Sequence, residues 1–164
     1  MADKASFTKD EWELLLRSPM NAGMAITAAE PSGLFGLLKE SFAGGAALAK
    51  AATDANVNPL IKAVVSDFQT SDGRAAAHDG LKAELANSKP AEMKTKAIDS
   101  LRQVSSVLAA KAPGDATAFK AWLREISQKT AEAASEGGGW FGGGVQVSDA
   151  EKATLGEITS ALDI

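Results

Sequence analysis

Apolar side chains recur every three or four residues along most of this chain, a spacing that places them on one face of an α-helix. Comparable stripes are separated by short turn signals rich in Pro, Gly, Asn and Asp. The pattern predicts an all-α fold, in which about seven or eight helices form a single-domain bundle over residues 1–164. The clearest stripe lies opposite a charged face and consists of Met93, Ala97, Leu101, Val104 and Leu108.

Capping residues mark where several of these helices begin. Thr8 and Glu11 have the spacing of a capping box, in which each side chain bonds the backbone N–H of the other residue. Phe7 and Trp12 hold the two positions of a hydrophobic staple around this box. Ser148 and Glu151 have the same capping-box spacing before the C-terminal helix. Both patterns predict helix N-termini.

Other boundaries are predicted from Pro, Gly and Asn. Asn58 before a proline predicts the cap of a helix. Ser18–Pro19 predicts that the first helix ends and a second one starts with a proline in its first turn. Residues 71–73, Ser-Asp-Gly, predict a turn before a weaker helix, and Asp115 is the predicted cap of the helix that follows Pro113.

A glycine-rich loop, residues 137–144, precedes the C-terminal helix and carries two aromatic residues at its middle. It contains the pattern G-x-G-x-x-G, but dinucleotide binding requires a preceding strand and a βαβ unit, which the surrounding sequence does not predict. Carboxylates in the first turn of the next helix also disfavour a phosphate there. We therefore expect Trp140 and Phe141 to anchor this loop on the bundle, with a ligand-binding lid as the alternative.

Composition narrows the choice of partner and compartment. The 164 residues carry a formal net charge of -4, with a pI near 5.1, which disfavours nucleic-acid binding through a broad basic face. The chain has no Cys, which excludes thiol chemistry. Acidic residues lie near the first Met where a signal peptide would have an apolar run, so we expect a cytoplasmic protein.

The region from Pro19 to Ala49 has few charged residues and raises the question of membrane contact. Its apolar run before "EPSG" is about ten residues long, whereas roughly 20 are needed to span a bilayer. A buried helical hairpin is therefore the favoured interpretation, and membrane association is the alternative.

Candidate chemistry is sparse. "DANVNP", Asp54 to Pro59, begins like a calcium loop, but proline stands at the turn-glycine position and Val65 at the bidentate-glutamate position. A helix-to-helix connection is the favoured interpretation. His78 is the only histidine, so any histidine-based metal site or triad must use it; we expect a partly buried or surface histidine instead.

Two stretches share a family motif. In "GGGVQVSDAEKATLGEITSALDI", Val147, Ser148 and Glu151 form an apolar-Ser-x-x-Glu sequence before a helix, and "TAAEPSGLFGLLKES" has Glu30 and Pro31 in a looser copy. They resemble the repeats of the tellurite-resistance B (TerB-like) family of small bacterial all-helical proteins, which read roughly A-D-G-x-[IV]-[ST]-x-x-E.

The resemblance implies an all-α fold, metal-binding acidic residues and a link to stress response or membrane-associated complexes. Gly144 and Val145 stand at the motif's aspartate and glycine positions. The metal ligands that the resemblance implies are therefore Glu30 and Glu151. We expect no cofactor, and a divalent cation at these residues is the alternative.

We expect a non-catalytic helical interaction module that binds a protein partner, in a stress- or envelope-associated assembly. Two alternatives stay open. One is an acidic helical protein that binds a divalent metal, and the other is an enzyme whose scattered carboxylates form no recognisable motif. A homo-oligomer also stays open, and no nucleic-acid partner is expected.

Overall fold

The computed structural model describes residues 2–29, 37–136 and 147–164, with side chains for 2–29, 45–133 and 147–164. The described ranges contain no strand, which confirms the predicted all-α bundle. Their elements are a 3₁₀ turn (Lys4–Ser6) and seven α-helices: α1 (Lys9–Thr27), α2 (Leu37–Thr53), α3 (Pro59–Phe68), α4 (Ser71–Leu85), α5 (Pro90–Lys111), α6 (Pro113–Glu136) and α7 (Asp149–Leu162).

Helix α1 lies at the centre of the bundle and contacts each of the other α-helices. Helix α5 runs antiparallel to it, because Lys111 near the end of α5 lies 3.8 Å from Glu11 near the start of α1. Further along, the Asn21 amide donates to the Ser100 hydroxyl at 2.9 Å. The apolar stripes meet in one core, whose fully buried side chains include Leu15, Leu16, Ile26, Leu60, Leu101, Leu108, Phe119, Leu123, Ile126 and Ile158.

The predicted break at Ser18–Pro19 is wrong, since α1 continues through Pro19 without interruption. Proline has no N–H to donate to the Leu15 carbonyl one turn earlier. The buried Ser18 hydroxyl donates to that carbonyl instead, at 2.7 Å. The local replacement explains why one helix forms where the sequence predicts two, and why the described ranges contain seven α-helices.

Substitution of Ser18 tests this replacement. Ser18→Ala removes the hydroxyl that bonds the Leu15 carbonyl where Pro19 offers no N–H, so we expect the free energy of unfolding to fall by about 2 kcal/mol. In a Pro19→Ala background a backbone N–H becomes available, and the same Ser18→Ala change is expected to cost only about 0.5 kcal/mol. Urea unfolding of the four proteins measures the difference. Equal costs in both backgrounds would show that the hydroxyl does not replace the missing bond.

The predicted turn at residues 71–73 is also wrong, because α4 already begins at Ser71. Thr70 is its cap, and the Thr70 hydroxyl accepts a hydrogen bond from the Gly73 N–H at 2.9 Å. Gly73 is needed for close packing: a Cβ built on it would lie 2.0 Å from the backbone oxygen of Asp67 in α3. The glycine therefore allows the start of α4 to lie against the end of α3.

The sequence predicts Asp115 as the cap of α6, and this prediction is wrong. Helix α6 begins at Pro113 and contains Asp115 in its first turn. The nearly buried Asp115 carboxylate accepts the Ala2 N–H and the Asn58 side-chain amide, each at 2.9 Å. Asn58 is the cap of α3, as predicted, since its side-chain oxygen accepts the Leu60 N–H at 2.9 Å. Asp115 thus joins the N-terminal segment, α3 and α6.

The pH dependence of stability is expected to depend on Asp115. The hydrogen bond from the Ala2 N–H holds the pKa of this carboxyl below its ordinary value against the opposing effect of burial, and the Asn58 amide adds to the lowering. The ionised group therefore stabilises the fold above about pH 4, and this contribution is lost as the pH falls through the folded-state pKa.

Asp115→Asn should accordingly lower the melting temperature at pH 7, and the gap from wild type should narrow between pH 5 and pH 2. Circular dichroism melts across that range measure the gap. A gap that stays constant with pH would mean that the charge of Asp115 does not contribute.

The favoured hairpin interpretation of the low-charge region agrees with the described part of it. Ala22 and Ile26 of α1 and Ala47 of α2 are buried in the core. Among the residues that the structure describes, no helix combines the length and the apolar character required to cross a membrane.

Candidate binding cleft

A cleft of about 370 Å³ opens where the start of α1 faces the end of α3 and the start of α4. We call it the Trp12 cleft. Trp12 and Leu16 are almost completely buried side chains of α1, so the cleft reaches the edge of the core. Its apolar lining consists of Phe7, Trp12, Leu16 and Ala76.

The capping box predicted at Thr8 orients the aromatic residues of the cleft. The Thr8 N–H donates to the Glu11 carboxylate at 2.7 Å, and the Glu11 N–H donates back to the Thr8 hydroxyl at 3.3 Å. Phe7 and Trp12 then meet across the start of α1, with ring centroids 5.8 Å apart and planes tilted by 42°. Both the box and the staple predicted from the sequence are confirmed.

Asp67, near the end of α3, accepts the main hydrogen bonds of the Trp12 cleft. Its Oδ2 accepts the indole N–H of Trp12 at 2.6 Å and the ammonium of Lys4 at 2.9 Å. The Lys4 Nζ also lies 5.8 Å from the centroid of the Trp12 ring, within the range of a cation–π contact. Burial alone would raise the pKa of Asp67, but the hydrogen bonds from Lys4 and Trp12 outweigh it and lower that pKa. Asp67 is therefore a carboxylate at neutral pH.

The turn between α3 and α4 fixes the backbone that carries this carboxylate. The Asp67 carbonyl accepts both the Thr70 hydroxyl, at 2.6 Å, and the Thr70 backbone N–H, at 3.0 Å. Gly73 packs directly against the same carbonyl, as described above. Asp67 therefore approaches Trp12 from a constrained position.

Charged side chains of both signs surround the apolar lining. Lys9 and Glu13 lie on neighbouring turns of α1 and form an ion pair at 3.7 Å. Asp72 is exposed in the first turn of α4, where the helix dipole favours a negative charge. The charged lining has one more carboxylate than ammonium groups and consists of Lys4, Lys9, Glu13, Asp67 and Asp72.

Glu151, which the TerB-like resemblance implies as a metal ligand, is the third residue of α7 and is only 3% exposed. Its carboxylate accepts the Ser148 N–H at 2.8 Å, and its own N–H donates to the Ser148 hydroxyl at 3.2 Å. The predicted capping box is confirmed. No group of three or more His, Asp or Glu residues suited to hold a metal ion occurs in the described ranges. The metal role stays a prediction of the resemblance.

Three other predicted site residues, Glu30, Trp140 and Phe141, lie outside the described residues. The metal role of Glu30 and the anchoring role of Trp140 and Phe141 therefore stay predictions.

The two remaining candidates have ordinary structural surroundings. In the segment from Asp54 to Pro59, the Asp54 carboxylate accepts the Asn56 N–H at 2.8 Å and Asn58 caps α3, so the segment is the predicted connection between two helices. His78 lies on the exposed side of α4.

The sequence singles out Trp12 only as part of a helix start and does not single out Lys4 or Asp67. Trp12 and Asp67 are 55 residues apart in the chain, and Lys4 and Asp67 are 63 apart. No local motif connects them. The one local indication is the tryptophan at a helix start. When a tryptophan is buried, its indole N–H usually finds a hydrogen-bond acceptor, so an acceptor near Trp12 is expected.

No family model, no curated protein and no solved structure matches the chain.

Proposed function

We propose that this chain is a non-catalytic helical module that acts by binding a protein partner in the Trp12 cleft. The observation that carries the proposal is the combination of an apolar lining around Trp12 with charged groups on Asp67 and Lys4. Protein interfaces often place an aromatic anchor at their centre and charged groups at their rim. The volume of about 370 Å³ lies within the rough range of 300–1,000 Å³ for ligand pockets.

The charge state of Asp67 disfavours a role as a general acid. A carboxylic acid that donates a proton near neutral pH needs a raised pKa. The pKa of Asp67 is lowered, because the hydrogen bonds from Lys4 and Trp12 outweigh the effect of burial. Asp67 is thus suited to hold a fixed negative charge.

The wider role is part of the same proposal. The TerB-like resemblance implies an assembly connected with stress response or the cell envelope, and this remains a prediction. Among the described residues, Ile164 is the one large apolar side chain that is exposed. The proposal therefore concerns a concave site, where a partner inserts a side chain between α1 and α4.

A comparison of three baits tests the proposal. Ala76→Trp places a large ring in the cleft, whereas Ala75→Trp adds the same ring at a neighbouring exposed position of α4 that does not line it. We expect wild type and Ala75→Trp to retain a common partner from an extract of the source cells. Ala76→Trp should retain on the order of tenfold less of it. If both variants retain the same proteins to the same extent, the cleft is not the binding site.

A further inference from the structure

The Trp12 cleft already holds a cationic side chain of its own chain. The Lys4 ammonium contacts the Asp67 carboxylate at 2.9 Å and the Trp12 ring at 5.8 Å from its centroid. Yet the Lys4 side chain is 63% exposed and belongs to a three-residue 3₁₀ turn without buried residues. Little packing holds this ammonium in place, whereas the groups that receive it are largely buried.

The receiving groups are constrained independently of Lys4. Trp12 is 3% exposed and donates its indole N–H to the same Asp67 oxygen that accepts Lys4. The Asp67 backbone is fixed by Thr70 and by the close approach of Gly73. An aromatic ring beside a fixed carboxylate is suited to receive an ammonium or guanidinium group, and it would remain in place if Lys4 moved away.

The other charges of the cleft favour the same class of ligand. Lys9 is paired with Glu13 at 3.7 Å. Asp72 has no ion pair among the described residues, so removal of the Lys4 ammonium would leave two unpaired carboxylates, Asp67 and Asp72. Such a site attracts a cationic group and repels an anionic one.

We propose that the partner inserts a lysine or arginine side chain at the position of the Lys4 ammonium, and that Lys4 is an internal competitor for it. The inference rests on the proposed function, because it names the partner chemistry of the same cleft. One cationic group replaces another, so the ion pair with Asp67 and the cation–π contact with Trp12 are conserved in the exchange. The apolar lining of Phe7 and Leu16 receives the methylene stem.

A titration followed by nuclear magnetic resonance tests the competition. The probe is N-acetyl-lysine amide, the uncharged control is N-acetyl-norleucine amide, and the readout is the indole N–H resonance of Trp12. We expect the lysine probe to shift this resonance and the norleucine probe to leave it in place. Lys4→Ala should lower the Kd of the lysine probe about fivefold, because the competing ammonium is removed.

Three charge variants complete the design. Lys9→Ala removes the same charge from the cleft and leaves Glu13 unpaired, but it removes no group that contacts Asp67, so it should lower the Kd less than twofold. Asp67→Asn should abolish binding of the lysine probe. Should that variant not fold, Asp72→Asn in the Lys4→Ala background is expected to raise the Kd by a factor of about two to five.

Several results would overturn the inference: no shift of the Trp12 resonance in wild type and Lys4→Ala, equal binding of the norleucine probe, or equal effects of Lys4→Ala and Lys9→Ala. Its failure is distinguishable from failure of the proposed function. If a partner is lost from Ala76→Trp but binds wild type and Asp67→Asn equally, the cleft is still the binding site. Only its selectivity for a cationic side chain is then refuted.

Discussion

Trp12→Ala is expected to lower the free energy of unfolding by about 4 kcal/mol. The substitution removes the ring of a residue that is only 3% exposed and that joins the start of α1 to the end of α3, and it leaves Phe7 without its aromatic neighbour. It also leaves the partly buried Asp67 with Lys4 as its remaining side-chain partner. Urea unfolding followed by circular dichroism measures the change.

Trp12→Phe separates the two contributions of the indole. The variant keeps most of the apolar ring and loses the hydrogen bond to Asp67, so the expected loss is only about 1 to 2 kcal/mol. A cost of Trp12→Ala below about 1 kcal/mol would contradict the assignment of Trp12 to the core.

Gly73→Ala is expected to destabilise the protein by about 3 kcal/mol. In most helix positions alanine is more stable than glycine, by roughly 1 kcal/mol. Here the new Cβ would lie 2.0 Å from the Asp67 backbone oxygen and 2.6 Å from its carbonyl carbon. Because both atoms belong to the backbone, α3 and α4 must move apart, and the clash outweighs the gain in helix propensity.

Gly156→Ala is the matched control for this change. Gly156 lies inside α7, is exposed, and has no atom within 4 Å of a built Cβ. We expect the variant to be more stable by about 1 kcal/mol, so the two glycine substitutions should have opposite signs in the same urea experiment. A stable Gly73→Ala protein would show that α3 and α4 are not in close contact at Asp67.

The helices were predictable where the determinants are local. The capping boxes at Thr8 and Ser148 involve residues three positions apart, and both form as predicted. Two boundaries were predicted wrongly, although hydrogen bonds over three residues mark both of them. The Ser18 hydroxyl donates to the Leu15 carbonyl within α1, and Thr70 caps α4 at the position where the sequence predicts a turn.

The contacts in the cleft were not predictable either, because they join residues that lie far apart in the sequence. Asp67 meets Trp12 across 55 residues of sequence, and its carboxylate has no local pattern that distinguishes it from other surface acids. Asp115 likewise appears as a helix cap from its neighbours, whereas its bonds to Ala2 and Asn58 depend on how three elements pack. Local sequence predicts the caps of α1, α3 and α7, whereas packing determines which polar groups meet.

The indole N–H resonances give the most direct test of the central claim, that a partner binds in the Trp12 cleft. Trp12 lines this cleft, whereas Trp122 lies in α6 beside α2 and is an internal control. When the partner retained by wild type and Ala75→Trp is added, the Trp12 resonance should shift while that of Trp122 stays in place. A complex that shifts Trp122 and leaves Trp12 unchanged would contradict the claim.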